Sequence, residues 1–359
     1  LMFDTRIREP YNAKIMAYAA MVMVALEFLT QMHFRDLHPS FPAWISALDA
    51  ELSSLFDGEF SVLRDAGCTV VGSRGKRLRP AMLFLACACF GDVGARAVKT
   101  ACLVELVHAA SLVHDDVVDE ADLRRGGLSA RARWDNKFSV LLGDFILARI
   151  FDQATKNGEM DILRIIAPAA VDMGRGVILE LTALDLTADE DVYWQVVHGK
   201  TASLFSAATR LGALIGGATA DDERLLARVG ECFGRAFQLA DDLMDLQGTE
   251  SDTGKPSHAD WRQRKATLPL LYAVHHADPA TVDKIHALWN EEQLTGGYFD
   301  HLRFLVESAG GFDFGWRTVN KYLAEACDCL HQIRENSGSS ALLRLCTDRF
   351  PLPVLPSKS

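Results

Sequence analysis

The sequence predicts an all-α protein, and three observations support this fold class. From about His38 onward the chain shows no sustained alternation of apolar and polar residues, which is the period of a half-buried strand. Six long segments instead carry apolar residues at helical spacing and are rich in Ala and Leu. They are 81–120, 138–156, 162–184, 192–217, 221–247 and 267–277. Turn-like compositions separate the segments, at 72–79, 125–127, 157–158, 216–217 and 248–264.

Composition narrows the class of protein. With 49% apolar and 24% charged residues in 359, the chain is typical of a packed globular protein and unlike disordered or collagen-like sequences. Its net charge of −11 argues against a nucleic-acid partner, so an anionic substrate would need local basic clusters or metal ions. Most of the eight cysteines lie in apolar runs, which favours free thiols and a cytoplasmic location.

The domain organisation is simple, because no break has the composition of an interdomain linker. We expect one domain over 38–349, preceded by a helical extension, 1–37, and followed by a Pro-rich tail, 350–359. The apolar run 15–26 in the extension has 12 residues, whereas a membrane span needs about 20. Asp4 and Glu9 before this run disfavour a signal peptide. Any membrane contact within the chain would therefore come from the extension.

A first acidic motif, His114-Asp-Asp-Val-Val-Asp119, ends an apolar helical run. Asp115 and Asp119 are one turn apart on one helical face, which continues backward through Ser111 and His108. This stripe has the character of a pocket wall with a charged rim. Neighbouring carboxylates raise each other's pKa, so the pair calls for a cation. Taken alone, the motif could equally be a solvated helix end.

The same pattern recurs in Gln238-Leu-Ala-Asp-Asp-Leu-Met-Asp245. This recurrence makes a solvated helix end a weaker interpretation of the first motif. Asp241 and Asp245 are again one turn apart, with Gln238 on their face. Oxygen ligands in ones and twos leave room for water and phosphate oxygens. They therefore fit Mg²⁺ bound jointly with a phosphorylated substrate.

Basic clusters supply the other half of a diphosphate site. In Gly75-Lys-Arg-Leu-Arg-Pro80 the proline suits the first turn of a helix, so Lys76 and Arg79 would lie at a helix N-terminus that favours anions. Arg124 and Arg125 follow the first acidic motif and could place guanidinium groups beside metal-bound phosphates. Each cluster alone would be a solvated loop, but together with the aspartates they indicate a diphosphate site.

The chain resembles the trans-isoprenyl diphosphate synthases, the polyprenyl synthetase family, over roughly 38–349, because the family's motifs occur in it in the same order. The motifs are Gly75-Lys-Arg-Leu-Arg-Pro80, His108 with Asp115-Asp-Val-Val-Asp119, Arg124-Arg-Gly126, Lys200-Thr201, Gln238 with Asp241-Asp-Leu-Met-Asp245, Gly254-Lys255 and Lys265-Ala-Thr-Leu-Pro269. The resemblance implies an orthogonal bundle of long helices around a central apolar cavity, usually in a homodimer. It also implies condensation of isopentenyl diphosphate with an allylic diphosphate.

The resemblance further implies a role for each matching residue. The diphosphate of isopentenyl diphosphate would be held by Lys76, Arg79, His108 and Arg125. Three Mg²⁺ ions would be bound by Asp115, Asp119 and Asp241, supported by Asp116, Asp242 and Asp245. The allylic diphosphate would be held by Arg124, Lys200, Lys255 and Lys265. Thr201 and Gln238 would lie near the reacting carbons, completing a catalytic set with Lys200 and Arg124.

Product length is predicted from the stripe beneath the first motif. A chain growing down from Asp115 meets Ala110 and Ser111 and then Val107, where small side chains leave the passage open. One helical turn rises about 5.4 Å, roughly one isoprene unit, so the floor lies at least two or three units down. Bulky residues near 162–166 are candidates for it. Within the family, Ala-Ser at these positions resembles the long-chain, octaprenyl-type synthases.

Two segments depart from the family pattern. Where the family often has Gly-Glu-x-x-Gln, this chain has Val177 and Glu180 in place of the Glu and the Gln. In the loop after the second acidic motif, His258 and Arg264 replace two glycines that normally relax a loop closing over substrate. We expect these changes to affect loop geometry and rate rather than the type of reaction.

Two alternatives stay open at this point. A class I terpene cyclase or specialised prenyltransferase also uses an Asp-rich motif with Mg²⁺, but a cyclase has no need of Lys76, Arg79 and Arg125. A non-catalytic partner subunit of a heteromeric synthase would be expected to have eroded aspartates, whereas all six are present. Both observations favour the synthase. Its lipid product is a second route to membrane contact, beside the N-terminal extension.

Overall fold

The computed structural model describes residues 37–72, 75–124, 127–156, 158–247, 258–291 and 297–347. Within these ranges the chain is helical apart from one two-stranded hairpin, which confirms the predicted all-α class. The predictions for the N-terminal extension before Leu37 and for the Pro-rich tail concern residues outside these ranges.

The helices and strands follow one another along the chain in three groups. The first comprises α1 (Phe41–Ser54), α2 (Ser61–Gly72), α3 (Leu78–Ala88) and α4 (Ala95–Val118). The second comprises β1 (Leu123–Arg124), β2 (Gly127–Leu128), α5 (Ala130–Trp134), α6 (Asn136–Lys156), α7 (Met160–Ala183), α8 (Glu190–Val197), a π-helical turn (His198–Ala202) and α9 (Ser203–Gly216). The third comprises α10 (Ala220–Gln247), α11 (Ala259–Arg262), α12 (Leu268–His276), α13 (Pro279–Trp289), α14 (Tyr298–Ser308), α15 (Gly311–Leu330) and α16 (Ser337–Thr347).

One predicted helix is two. The segment 81–120 is split between α3 and α4, because the chain turns between Cys89 and Gly94. A Cβ atom on Gly91 would lie 2.8 Å from the carbonyl oxygen of Gly216, so the turn packs directly on another backbone. Gly91, Asp92 and Gly94 give this turn a turn-like composition, which the prediction of one helix over 81–120 overlooked. The strands β1 and β2 have two residues each and are too short to show any period.

The apolar core consists of two clusters that meet at α3 and α9. One cluster is formed mainly by α1, α2, α4, α6 and α7. The other is formed mainly by α10 and the helices that follow it. Both clusters take residues from α3 and α9, so these two helices are buried in the middle of the bundle. Gly212 of α9 permits their close crossing, because a Cβ atom there would lie 2.2 Å from the carbonyl oxygen of Leu83.

The helix α4 is the apolar wall that leads to the first acidic motif. Of the helices described, it alone is long and apolar enough to cross a membrane, yet 67% of its most apolar stretch is buried within the bundle. It has 24 residues, so it extends about 36 Å. Its last turn carries Asp115 and Asp116, and Asp119 is its C-cap.

Candidate active site

The first acidic motif lies at the C-terminal end of α4, where the helix dipole disfavours negative charge. Asp116 is 3% exposed and is held by Arg124, whose Nε and Nη2 atoms lie 2.7 and 2.5 Å from its Oδ1 atom. Arg124 returns to the motif through the hairpin, in which it pairs with Gly127. The guanidinium predicted to hold the allylic diphosphate therefore contacts a carboxylate of the motif.

Asp115 is half-buried and lies one helical turn before Asp119. Burial raises the pKa of its carboxyl group, Lys200 acts in the opposite direction, and the charge of Asp119 raises it further. Like charges in a sparsely solvated position destabilise the carboxylate, and a cation would stabilise it. The predicted need for a cation at Asp115 and Asp119 thus agrees with the electrostatics of the folded chain.

The second acidic motif lies in α10, with its middle aspartate buried. Asp242 is 6% exposed and accepts two hydrogen bonds, from the hydroxyl of Tyr193 at 2.6 Å and from Nε2 of Gln238 at 2.8 Å. Thr201 Oγ1 in turn donates to Gln238 Oε1 at 2.7 Å. The predicted pair Thr201 and Gln238 is thereby joined to the motif in one hydrogen-bonded chain.

Burial raises the pKa of Asp242 to about 7. The hydrogen bonds from Tyr193 and Gln238 lower this pKa, and the charges of Asp241 and Glu180 raise it. Burial also raises the pKa of the Tyr193 hydroxyl well above its usual value, so this hydroxyl stays a donor. The two neutral donors thus solvate a carboxyl group that no cationic side chain reaches through a described hydrogen bond.

Lys200 lies in the π-helical turn between α8 and α9. In a π-helical turn each backbone hydrogen bond spans one residue more than in an α-helix, and such turns often occur at functional sites. The turn is packed tightly on α7, because a Cβ atom on Gly176 would lie 2.6 Å from the amide nitrogen of Lys200. Gly199 is equally constrained, with its added Cβ atom 2.5 Å from the carbonyl oxygen of Asp172. Glycine at both positions lets the backbone carrying Lys200 approach α7.

Glu180 of α7 is the direct partner of Lys200. The Lys200 Nζ atom donates to Glu180 Oε2 at 2.6 Å, and the Glu180 side chain is 12% exposed. Burial lowers the pKa of Lys200, but Glu180, Asp115 and Asp119 raise it, and the net shift is upward. The charge of Glu180 also raises the pKa of both Asp115 and Asp242. This carboxylate therefore acts on both acidic motifs.

The segment after the second motif folds back toward both motifs. The amide of Asp260 donates to Asp245 Oδ2 at 3.0 Å, and burial raises the pKa of the Asp260 carboxyl group well above its usual value. The Lys265 Nζ atom lies 3.9 Å from Asp119 Oδ1. Lys265 also acts on Asp260, so this predicted diphosphate ligand stands between the two acidic motifs.

The two residues that stand where the family has glycines, His258 and Arg264, have left-handed backbone conformations. The φ angles are 65° at His258 and 58° at Arg264, a region that side chains other than glycine rarely adopt. His258 stacks on Phe299 with 4.7 Å between ring centroids. Arg264 Nη1 donates to the hydroxyl of Tyr298 at 2.8 Å. The family's glycines thus fit the backbone here, and in this chain side-chain contacts hold the same backbone.

The basic segment before α3 occupies the position that the sequence predicts. Arg77 is the N-cap of α3, Lys76 precedes the helix and is exposed, and Arg79 lies in its first turn. The Arg79 guanidinium lies 4.5 Å from the ring centroid of Phe205, a cation–π contact. Phe205 in turn packs on Phe237, the residue before Gln238, so Arg79 approaches the second motif through two rings.

The stripe beneath the first motif lies in the interior of the bundle. Val107 and Ala110 are buried, and Ser111 is half-buried with its hydroxyl donating to the carbonyl oxygen of His108 at 2.9 Å. Ile162 and Ile166 belong to the same apolar cluster as Val107 and Ala110. The residues nominated for the passage and for its floor therefore line one region of the core.

The structure brings many of the predicted site residues together. Described contacts or charge effects link Arg124, Asp115, Asp116, Asp119, Lys200, Thr201, Gln238, Asp241, Asp242, Asp245 and Lys265. The predictions for Arg125 and Lys255 fall on residues outside the described ranges.

Five residues close to these groups were missed as site residues, one of which, Glu180, appeared in the sequence only as a departure from the family pattern. Tyr193 and Asp260 contact or act on the second motif from outside it, and no spacing in the sequence points to them. Arg77 and Glu105 form an ion pair at 2.6 Å beneath the basic segment. Glu105 did carry a signal, because it is a lone charge inside the apolar stretch 101–110 and a buried charge needs a partner.

The acidic residues fit magnesium as shared ligands. Among the described residues, no three His, Cys, Asp or Glu side chains form a group that could hold a metal ion on its own. Two motifs that each offer hard carboxylate oxygens suit a cation that keeps water and phosphate oxygens in its coordination sphere. The raised pKa of Asp115 indicates a carboxylate that a divalent cation would stabilise.

Comparison with known proteins identifies the family of this chain. A family model described as Polyprenyl synthetase matches residues 61–297. The octaprenyl diphosphate synthase of Escherichia coli is 36% identical over 242 residues, which are 67% of this chain and 75% of that protein.

Two solved structures share the fold. A decaprenyl diphosphate synthase from Rhodobacter capsulatus matches with a TM-score of 0.81 and 34% identity, covering 88% of this chain and 98% of the other. A polyprenyl synthase from Caulobacter crescentus, complexed with calcium and isoprenyl diphosphate, has a TM-score of 0.80 and 30% identity, covering 91% and 97%. The chain therefore belongs to the polyprenyl synthetase family, and it is a prenyltransferase.

Proposed function

We propose that this protein condenses isopentenyl diphosphate with an allylic diphosphate, in the presence of Mg²⁺, to give a long-chain trans-polyprenyl diphosphate. The observation that carries the proposal is the placement of cationic side chains between two acidic motifs. Lys200 pairs with Glu180, which acts on both motifs, and Lys265 lies near Asp119 while acting on Asp260. Carboxylates and ammonium groups at one place suit a diphosphate with its metal ions.

The allylic diphosphate would lie between the motifs. Asp115, Asp119 and Asp241 would hold up to three Mg²⁺ ions, with Asp116, Asp242 and Asp245 supporting them. When bound, the metal ions neutralise the charge of the departing diphosphate. Lys200 and Lys265 would contribute hydrogen-bond donors to the same leaving group, as would Arg124 and Lys255. Their ammonium and guanidinium groups act most strongly as the leaving group's charge develops.

The reaction breaks an allylic carbon–oxygen bond and forms a carbon–carbon bond. The double bond of isopentenyl diphosphate attacks the allylic carbon, and the adduct loses a proton to give the elongated product. The departing diphosphate can accept this proton, so no side-chain base is required. Thr201 and Gln238 would face the reacting carbons, with their orientation set by the hydrogen bonds that join them to each other and to Asp242.

Isopentenyl diphosphate would be bound at the start of α3. Lys76, Arg79, His108 and Arg125 are the proposed ligands of its diphosphate. The N-terminal end of α3 adds a favourable dipole for an anion. Arg79 lies over Phe205, which orients its guanidinium at this helix end.

The long-chain product follows from the apolar passage beneath the first motif. Ala110, Ser111 and Val107 present small or β-branched side chains there, whereas a Phe in the first turn would close the passage. The surrounding core would also keep water from the allylic cation, since hydrolysis competes with condensation.

Assembly as a homodimer has support in an exposed apolar surface on α6 and α7. Leu141 and Phe151 of α6 are 67% and 55% exposed, and Ile178 and Leu181 of α7 are each 63% exposed. Large apolar side chains on neighbouring helices are typical of a surface that a second subunit covers. We propose that two copies of the chain pair through α6 and α7.

A cytoplasmic location and a single catalytic domain over 38–349 complete the proposal. All eight cysteines are free thiols, five of them buried, which suits a reducing compartment. The polyprenyl product would give the protein its contact with a membrane.

The test is incubation of the purified protein with labelled isopentenyl diphosphate and each allylic primer, with and without Mg²⁺, followed by sizing of the dephosphorylated products. We expect Mg²⁺-dependent linear polyprenols longer than geranylgeraniol. Cyclic products from an allylic diphosphate alone would indicate a cyclase. No incorporation by folded protein with any primer would indicate a non-catalytic subunit, and short linear products would overturn the chain-length argument alone.

A further inference from the structure

We propose that Arg77 and Glu105 are positioning residues that set the direction of Lys76 and Arg79 toward isopentenyl diphosphate. Neither residue belongs to the set assigned to substrate or metal. The inference rests on the proposed role of Lys76 and Arg79, and it adds a physical cause for the orientation that this role requires.

The backbone at Arg77 is the first observation. Arg77 is the N-cap of α3 with φ 50° and ψ 35°, a left-handed conformation that side chains other than glycine rarely adopt. Its carbonyl oxygen accepts from the amide of Ala81 at 2.9 Å, the first bond of the helix. Lys76 precedes this residue and Arg79 follows it by two positions. The backbone dihedral angles of Arg77 therefore set the direction of the chain at the start of α3 and, with it, the directions of these two side chains.

The Arg77 guanidinium is the second observation, because it binds three separate segments. Nη1 donates to Glu105 Oε1 at 2.6 Å, and Nη2 donates to the carbonyl oxygen of Val71 at 2.5 Å. Nη2 also lies 3.2 Å from Asp49 Oδ1. These contacts join the N-terminus of α3 to α4, to α2 and to α1, and they hold the left-handed backbone in place.

The burial of the Arg77–Glu105 pair is the third observation. The side chains are 10% and 5% exposed, so this is an ion pair inside the protein and not a surface bridge. Buried ion pairs contribute little net stability compared with apolar packing, and where they persist they can specify one geometry. A planar guanidinium with several fixed donors specifies direction better than an ammonium group does.

Glu105 lies on the same helix as the first acidic motif, so its ion pair with Arg77 connects the basic segment to that motif. Glu105 and Asp115 lie ten residues apart on the same helix, α4, which corresponds to about 15 Å along its axis. The helix therefore carries an acidic motif for the allylic substrate and, through Glu105, the anchor of the basic segment for isopentenyl diphosphate. The pair thus fixes the basic segment relative to the first acidic motif.

The experiment measures KM for each substrate in variants of the 359-residue chain. Arg77→Gly keeps the left-handed backbone accessible but removes the guanidinium. We expect it to raise KM for isopentenyl diphosphate at least tenfold, while KM for the allylic diphosphate and the Mg²⁺ concentration for half-activation stay within about twofold. Arg77→Lys should restore part of the loss, because it keeps the charge without the planar fork. Glu105→Gln, nearly isosteric, should shift KM in the same direction by less.

Matched controls separate positioning from general destabilisation. Arg96 also lies on α4 and binds two carboxylates, those of Glu159 and Asp161, but it is 43% exposed and far along the helix from the site. Arg96→Ala should leave both KM values unchanged. Equal rises in both KM values, or loss of thermal stability with no change in KM for isopentenyl diphosphate, would overturn the inference. If Arg77→Gly does not fold, Arg77→Lys and Glu105→Gln decide the outcome.

Lys76→Ala and Arg79→Ala test the assignment on which the inference rests. Both should raise KM for isopentenyl diphosphate more than tenfold. If they do and the Arg77 variants do not, only the positioning inference is wrong. If neither does, the isopentenyl diphosphate site lies elsewhere, and the positioning inference fails with it.

Discussion

At the end of α4, the buried Asp116 faces the guanidinium of Arg124, whereas in α10 the buried Asp242 faces a tyrosine hydroxyl and a glutamine amide. The two motifs have the same residue pattern and the same helical spacing. Arg124 stands on a short hairpin outside the core, while Tyr193 and Gln238 belong to packed helices. The position of the buried aspartate in the first motif therefore depends on a residue from a short hairpin. In the second motif it depends on residues of packed helices.

The residues one and two turns before each motif also differ. Ser111 and Val107 precede Asp115 by four and eight residues, and Phe237 and Phe233 precede Asp241 by the same intervals. The two phenylalanine rings stack on each other with 6.3 Å between their centroids. Aromatic rings thus fill the space beneath the second motif, and small side chains lie beneath the first. This difference explains why we assign the growing chain to the first motif.

The largest effect should come from replacing the two buried aspartates, Asp116 and Asp242, one at a time. Asp116→Asn leaves Arg124 without its carboxylate, and we expect a loss of roughly 100-fold in kcat/KM and about 2 kcal/mol of stability. Asp242→Asn keeps an acceptor for Tyr193, and its loss should stay under about tenfold with about 1 kcal/mol of stability. Steady-state kinetics and thermal unfolding measure both. Equal losses in the two variants would show that the two kinds of partner are equivalent.

Product length tests the second difference. Ser111→Phe copies into the first motif the residue found one turn before the second, and we expect products shorter by roughly two or more isoprene units, since a helical turn rises about 5.4 Å. Ser111→Ala is the matched control and should keep the wild-type length. Chromatography of the dephosphorylated products gives the answer. Unchanged length in Ser111→Phe would place the passage on another face of α4.

A smaller effect is expected at the carboxylate that acts on both motifs. Glu180→Gln keeps an acceptor for Lys200 but removes one negative charge from the site. The Mg²⁺ concentration for half-activation should rise roughly three- to tenfold, equivalent to about 0.7–1.4 kcal/mol. Asp221→Asn removes an exposed carboxylate at the opposite end of α10 and should have no effect. A lower Mg²⁺ requirement in Glu180→Gln would contradict a role for Glu180 in attracting the metal ions.

The smallest effect concerns the segment that follows the second motif. Arg264→Gly and Arg264→Ala both lose the contact with Tyr298, but only glycine accepts φ 58° without strain. The alanine variant should therefore be less stable than the glycine variant by about 1 kcal/mol. Denaturant unfolding of the two proteins measures the difference directly. Equal stabilities would mean that the backbone at 264 relaxes once the arginine is gone.

Much of the fold and of the site could be predicted because both depend on local spacing. Helical periodicity marks α6, α7, α10 and α12 to within a few residues, whereas the predicted segment 192–217 covers α8, the π-helical turn and α9 together. It failed between α3 and α4, where the turn Gly91-Asp-Val-Gly94 lies between two apolar runs and was read as part of one helix. Residues that belong to a sequence motif were predicted as site residues, whereas Tyr193 and Asp260 were not. A single polar residue in a helix gives no indication of a partner that is distant in the sequence.

By itself, the sequence determined that two pairs of carboxylates stand one helical turn apart and that cationic side chains accompany them. Spacing of 3.6 residues per turn is a local property, so it can be read along the chain. Only the tertiary structure decided which cation or donor each carboxylate receives. Tyr193 lies 49 residues from Asp242, and Arg77 lies 28 residues from Glu105. Such pairs form only when packing buries both groups together, because burial makes an unsatisfied charge costly.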